Sequence, residues 1–436
     1  MTILAPLGRL SSRRVLSTLA GLVTLVLWTG APATASPSVQ FGVQDDAWLL
    51  HGPGTLSSRI TALERLGVDI VRVTLRWDEI ARRKPIDPRD QLDRRYDWAD
   101  SDRILRALRR HGLAALVTLV GTPEWANGGQ SPNWAPTDPR SFGNFAYAAA
   151  NRYPWVGAWT IWNEPNQPRW LQPTSASIYV TQLLNPGYAQ IHAVIPDAQV
   201  GGGMTSPRAN RGVSPVAWIR EMGRLGGHLD AYAHHPYPSL PKLESPWEGG
   251  CEQCSTLSMA ALERLLDEVK RSFGPTRIWL TEYGYQTDPP DAILGVSPQI
   301  QARYVASAAR RVYLAPYVDM LINFMVRDDA ETAGWQSGLI KANGVEKPSY
   351  TSFRFPLEQV SRTGDRVTLW GQIRPRSGLQ PYRLRVYRDG RWSWLGDMRW
   401  TDSGGFFTNT VRAKPGSLVQ VFSQGDRSYS LQLRIR

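Results

Sequence analysis

Cysteine is nearly absent. The 436 residues hold only Cys251 and Cys254, both within Gly249-Gly250-Cys251-Glu252-Gln253-Cys254. Two thiols this close cannot make a disulfide framework, and they lack the two further ligands of a structural zinc site. No thioredoxin-like context surrounds them, so one local disulfide pinning a loop is expected. A membrane-spanning run is also missing, because the apolar stretch at residues 15–28 is too short for a comfortable span. It follows Arg9, Arg13 and Arg14 and precedes Ala33-Thr34-Ala35. That order reads as a cleaved bacterial-type signal peptide over residues 1–35, and hence a secreted mature chain, rather than a retained anchor. Finally, most of the chain lacks a charge excess. Of the total +12, residues 1–35 carry +3, and residues 360–436 carry +9 from fourteen Arg and Lys against five Asp and Glu. Residues 36–359 are left neutral, which gives no reason to expect a nucleic-acid partner. The basic tail is suited either to contact with anionic wall polymers or polysaccharide, or to a solvated arginine-rich surface.

What is present describes a globular protein: 42% hydrophobic and 20% charged residues, with eighteen tryptophans. The length suits one large domain of about 250–320 residues and one small one. From residue 40 the chain repeats strand, loop, helix. Strands are expected at residues 41–44, 68–75, 113–120, 156–162, 198–203, 229–235, 277–284 and 318–325. Helices are expected at 56–66, 101–110, 141–152, 175–194 (interrupted at Pro186), 215–225, 257–273 and 298–314. Eight strands alternating with helices over about 320 residues point to an α/β (β/α)8 TIM barrel, assigned to residues 36–355.

After Pro348 the period becomes two. Segments at 366–373, 382–388, 391–400, 406–411, 419–422 and 428–435 alternate apolar and polar, and Asp389-Gly390 sits between two of them as a hairpin turn. A small C-terminal antiparallel β-sandwich is expected over residues 356–436, and its Trp394–Gly396 and Asp402–Phe406 segments resemble those of immunoglobulin-like accessory modules of secreted bacterial enzymes. No long flexible linker precedes it, so it should dock on the barrel.

Two glutamates end buried-looking strands: Glu164 in Ala158-Trp159-Thr160-Ile161-Trp162-Asn163-Glu164-Pro165-Asn166, and Glu282 in Arg277-Ile278-Trp279-Leu280-Thr281-Glu282-Tyr283-Gly284. In a barrel the chemistry lies at the C-terminal strand ends, where both fall. A carboxyl pair at such a mouth suits glycosidic bond cleavage with retention, one as acid/base and one as nucleophile, about 5–5.5 Å apart. The nucleophile must stay ionised, so donors should converge on it. Arg72 shares strand parity with Thr74 and Arg76, and inward pointing would aim it at the mouth. Ala231, Ala233, His235 and Tyr237 share one face of the sixth strand, so the two larger residues should emerge at the rim, where the tyrosine hydroxyl can hold Glu282.

The segments around Asn163-Glu164, Thr281-Glu282 and His235-Pro236-Tyr237, together with Arg72 on strand two, resemble the clan of retaining glycosidases with catalytic glutamates on strands 4 and 7. Within it the cellulase-like family 5 and the xylosidase-like family 39 are the most similar patterns, over residues 40–350. The resemblance implies that Glu164 is the general acid/base and Glu282 the nucleophile. It further implies that Asn163 binds the sugar 2-hydroxyl, and that His235, Tyr237 and Arg72 are pocket donors. Many members carry a tryptophan at the end of strand 8. This chain offers Phe324 there, with Trp335 in the next loop as the substitute.

Other residues have two readings. Trp77, Trp125, Trp170 and Trp335 follow strand ends or lie in rim loops, open to sugar stacking or core packing. His234-His235 is no metal pair, since adjacent strand residues face opposite sides. Asp45-Asp46 and Asp328-Asp329 read as solvated loop carboxylates. No segment asks for a metal or cofactor. The expected partner is a carbohydrate substrate; the alternatives are transglycosylation at the same site, or a catalytically idle carbohydrate-binding protein of the cell surface.

Overall fold

The structure, a computed structural model, describes residues 38–251, 254–374 and 378–436. The expected signal peptide lies outside the described residues. Eight parallel strands close a barrel in chain order: β1 (Gln40–Gln44), β2 (Ile70–Arg76), β3 (Ala114–Val120), β4 (Ala158–Ile161), β5 (Gln199–Thr205), β6 (Ala231–His234), β7 (Arg277–Tyr283) and β8 (Val318–Phe324). Closure is made by β1 against β8, with Gln40 opposite Met320 and Gln44 opposite Phe324. Strand parity decides what lies inside. Ile70, Leu116, Met204, Ala231, Ala233, Trp279, Met320 and Ile322 fill the interior, while Val71, Val73, Leu119 and Tyr232 face the surrounding helices. Trp279 is large for such an interior, and Gly201 makes room for it. A Cβ at Gly201 would lie 2.8 Å from the Trp279 ring and 3.0 Å from Thr160 Cγ2.

The helix signals act as expected at several ends. Ser297 accepts from the Ile300 N–H at 3.3 Å ahead of Pro298, and Gly67 ends helix Leu56–Leu66 with φ +78. Pro186 does not break its helix. The chain runs from Ala176–Tyr179 through a π-turn at Val180–Leu184 into Asn185–Val194. The wider turn just before Pro186 accommodates its ring and its missing N–H. The helix expected from residue 257 begins as a 3₁₀ turn at Met259–Ala261 and is α-helical only over Leu262–Phe273. Short helices at Asp46–His51, Trp77–Ile80 and Glu124–Asn127 are too brief for periodicity to reveal. Among the described residues no helix is long and apolar enough to cross a membrane.

After helix Pro348–Arg354 come antiparallel strands β9 (Leu357–Thr363), β10 (Arg366–Gln372), β11 (Pro381–Arg388), β12 (Arg391–Trp394), β13 (Arg399–Trp400), β14 (Phe406–Arg412), β15 (Leu418–Ser423), β16 (Ser428–Tyr429) and β17 (Leu433–Arg434). One sheet has the order β14-β10-β9, the other β12-β11-β15-β16 with β13 on β11 and β17 on β15. They share a core of Val367, Leu369, Leu384, Val386, Val419 and Val421, with Tyr382 stacked on Phe407 at 4.4 Å. Asp389 and Gly390 both have positive φ, +51 and +76, as the mirror-image hairpin turn requires. The sequence pattern missed β9, because only Leu357 of that strand is buried and no alternation shows. It also merged β12 with β13 and β16 with β17, each pair being separated by an irregular connection.

The sandwich docks on the barrel. Trp370 and Phe406 join the barrel's outer core, with Tyr313 4.4 Å from Phe406. Ser307 donates to Glu358 at 2.6 Å. Arg374 is buried over Phe41 at 3.7 Å and Phe353 at 4.4 Å, and burial lowers its pKa to about 9 despite the opposing pull of Asp69.

Packing inside the barrel gives a direct test. Gly201→Val should lower unfolding stability by about 1–3 kcal/mol through overpacking against Trp279. Gly157→Ala, where a new Cβ meets nothing within 4 Å, should stay within about 0.5 kcal/mol of the parent. Urea denaturation monitored by tryptophan fluorescence reads both, and equal midpoints for the two variants would contradict the interior packing.

Candidate functional site

Arg72 is the hub of the barrel mouth. Its inward parity on β2 buries it to 1% exposure, so each guanidinium N–H needs a partner. Nε donates to Thr118 Oγ1 at 2.9 Å. Nη1 donates to Gln44 Oε1 and to Glu282 Oε1, each at 2.6 Å, and to the Thr281 carbonyl at 3.1 Å. Nη2 donates to Asn163 Oδ1 at 2.8 Å. Since a guanidinium only donates, it fixes the Asn163 amide with oxygen toward Arg72 and turns the NH2 group away from it.

Glu282 takes a second donor, the Tyr237 hydroxyl, at 3.0 Å on Oε2. His235 Nδ1 lies 3.6 Å from that oxygen and 3.1 Å from Glu164 Oε1. Burial by itself would raise the Glu282 pKa. The His235 and Arg72 charges and the Arg72 and Tyr237 hydrogen bonds outweigh it and hold the carboxyl below its ordinary value. Burial and the two nearby carboxylates push Tyr237 the other way, well above 10, so it stays a donor. His234 faces away, bound to Thr205 Oγ1 at 2.8 Å and the Leu257 carbonyl at 2.7 Å, and burial lowers it to about 3. The expected opposition of the two histidines is therefore present.

Glu164 reaches the pocket through an unusual backbone. β4 ends at Ile161, because Trp162 has φ +69, Glu164 φ +37 and the neighbouring Met204 of β5 φ +46. Three non-glycine residues in this region are strained, and such strain concentrates at functional sites. The kinks are held by hydrogen bonds: Glu164 N–H to the Met204 carbonyl at 3.0 Å, Trp162 N–H to the Leu119 carbonyl at 2.8 Å, and the Trp162 indole to the Trp170 carbonyl at 2.7 Å. Glu164, His235 and Glu282 each bring one donor or acceptor atom within 4.8 Å of the others. That spacing would also suit a cation, but the Arg72 guanidinium 2.6 Å from Glu282 already supplies the positive charge and would repel one.

A cleft of about 1260 Å³ opens over these groups, lined among others by Asn163, Glu164, Trp170, Tyr237, Glu282 and Trp335. Trp335 packs edge-on to Phe324 at 5.4 Å and against Tyr237 at 5.5 Å, beside the end of β8. Trp125 is not at the cleft. It packs against Trp77 at 5.6 Å and ties its indole N–H to the Ala81 carbonyl at 2.7 Å, so the expected subsite role gives way to structural packing. Trp77 is fully buried, and Trp125 is partly buried against it. Cys251 and Cys254 are bonded, with Cα atoms 5.6 Å apart.

Three of the four acidic-pair residues, Asp45, Asp46 and Asp328, correct a second expectation. Asp45 caps helix Asp46–His51 and accepts from the Val326 and Arg327 N–H groups, and burial raises its pKa to about 6. Asp46 binds the N–H and hydroxyl of Thr74, each at 2.9 Å, and Asp328 forms a buried pair with Lys347 at 2.8 Å. These are structural carboxylates rather than solvated ones. Gln44 is a further member of the site beyond the sequence motifs: it accepts from Arg72, and Asp46 in turn accepts from its amide at 3.2 Å. Its parity with Gly42, whose added Cβ would meet the interior Ile322, was the available signal.

No protein-family model matches the chain, and no curated protein matches it. Solved structures do. A glucosidase from Croceicoccus marinus is 14% identical and superposes with a TM-score of 0.59, covering 90% of this chain and 96% of its own. A family 39 glycoside hydrolase from Bacteroides cellulosilyticus is 18% identical, with a TM-score of 0.56 over 88% and 80% of the two chains. The GH39 enzyme from Xanthomonas axonopodis pv. citri is 14% identical, with a TM-score of 0.55 over 89% and 94%. The chain thus shares the fold of these glycoside hydrolases across barrel and C-terminal sheets together.

Proposed function

We propose that the chain is a secreted retaining glycoside hydrolase that cleaves O-glycosidic bonds, of β configuration, in an oligosaccharide or polysaccharide. One observation carries this: two carboxylates face each other across the mouth with oxygens within 4.8 Å, and they stand in unequal surroundings. That separation leaves room for a sugar C1 and none for a water between, as double displacement requires. Glu282, held ionised by Arg72 and Tyr237, attacks the anomeric carbon. Glu164, which pairs with no arginine among the described residues, protonates the leaving oxygen and then takes a proton from the water that releases the sugar. Asn163 presents its NH2 group to a ring hydroxyl. Trp335 and Trp170 offer flat apolar surfaces to sugar rings along the cleft. The signal-like segment of residues 1–35 supports export.

Glu282→Gln should lower turnover of an aryl glycoside by several orders of magnitude. Glu164→Gln should cost about 10²–10⁴ with poor leaving groups and little in the first step with activated ones. Pre-steady-state kinetics separate the two. Retention of more than about a tenth of the rate by both variants would end the assignment.

The donor set predicts a pH effect. Because Tyr237 helps hold Glu282 below its ordinary value, Tyr237→Phe should raise that pKa and move the acidic limb of kcat/KM to higher pH. An unmoved acidic limb would show that Glu282 is not the group titrating there.

A further inference from the structure

An antiparallel sheet packed on one side usually turns polar residues to water on the other. On the outer face of the β12-β11-β15-β16 sheet, polar residues are interleaved with a set of aromatic rings. Residue parity along β11 puts Arg383, Arg385 and Tyr387 opposite the buried Leu384 and Val386. The register sets Trp394 beside Arg385, Trp392 beside Tyr387, Phe422 beside Arg383, Tyr429 beside Phe422 and Trp400 beside Pro381. The rings touch in sequence across the strands: Tyr387 to Trp392 at 5.3 Å, Trp394 to Phe422 at 6.0 Å, and Phe422 to Tyr429 at 4.7 Å. Trp394 is 43% and Trp400 57% exposed, on a face where single scattered aromatics would be unremarked but a contiguous set marks a contact surface.

Cations are interleaved with the rings. The Arg385 guanidinium lies between Tyr429 at 3.5 Å and Trp392 at 4.2 Å, and Arg383 covers Trp394 at 4.3 Å. Arg385 is held by Gln420 Oε1 at 2.7 Å. Among the described residues neither arginine is paired with a carboxylate, and residues 360–436 carry a net +9. Flat rings accept the apolar faces of pyranoses, and fixed guanidinium groups bind carboxylates in a planar fork.

We propose that this face is a second carbohydrate-binding surface, separate from the cleft, for an acidic polysaccharide whose uronic-acid carboxylates meet Arg383 and Arg385 while its rings stack on Trp394 and Trp400. The charge complementarity selects an anionic polymer. The choice of a sugar polymer rests on the glycosidase reading of the cleft. The platform would hold the chain on its polymer while the barrel works on a neighbouring segment.

Affinity electrophoresis of the full protein through gels containing polygalacturonate, dextran or single-stranded DNA tests this. Wild type should be retarded by polygalacturonate and not by dextran. The double variant Trp394→Ala/Trp400→Ala should weaken that retention about tenfold. Arg383→Met/Arg385→Met should abolish the preference for acid polymer over neutral. Aryl glycoside turnover should be unchanged in both variants, since neither touches the cleft. Equal retention of wild type and the tryptophan variant would overturn the proposal. So would equal retention by DNA, which would reduce the face to a generic polycation, or a dimer in sedimentation that the tryptophan variant dissolves. Retention without any glycosidase activity would keep the binding surface and remove the cleft reading, so the two failures are distinguishable.

Discussion

A single guanidinium, buried at the barrel mouth, ties the site together. Arg72 joins β1 through Gln44, β3 through Thr118, the end of β4 through Asn163, and β7 through Glu282. A buried cation without partners is costly, and removing one member of a buried pair leaves the other stranded. The geometry of both glutamate segments is therefore fixed by the requirement to satisfy Arg72. The His235 and Arg72 charges, with the Arg72 and Tyr237 hydrogen bonds, hold the Glu282 carboxyl below its ordinary value despite its burial, which makes the two carboxylates chemically different although they face one another.

The fold supports that hub from both ends. At the mouth, strained turns at Trp162, Glu164 and Met204 are locked by hydrogen bonds to β3, β5 and the Trp170 loop. At the other end, Arg374 of the C-terminal sheets is buried beneath Phe41 and near Asp69, where β1 and β2 begin. The sandwich thus braces the beginnings of the two strands that carry Gln44 and Arg72. Its own outer face, where rings and arginines are interleaved, is free of that duty.

Much of this was legible in the residues alone, because parity holds wherever a barrel ladder is regular, as along β2 and β3, and fails only where β5 and β7 shift register. Arg72 with Thr74, and Ala231 and Ala233 with His235, are placed inside by their alternation alone, and the two glutamates follow from strand ends. Parity was informative where an interior residue is small or polar, and silent where a side chain leaves a strand. Trp125 looked like a rim residue because it follows β3, but a four-residue helix turns it onto Trp77. The Asp45 and Asp46 carboxylates sit in a loop by sequence, yet they are drawn inward by N–H donors from β2 and the loop after β8, contacts hundreds of residues apart in part. β9 had no alternation to detect. Periodicity reads local burial, and these positions are decided by distant partners.

Covalent trapping addresses the central claim most directly. The protein would be incubated with the activated 2-deoxy-2-fluoro analogue of an aryl glycoside it turns over, then digested and analysed by mass spectrometry. One fluorosugar on the peptide carrying Glu282, with label lost in Glu282→Gln and retained in Glu164→Gln, is the predicted result. Label on any other residue, or turnover that releases the inverted anomer with no label, would contradict it.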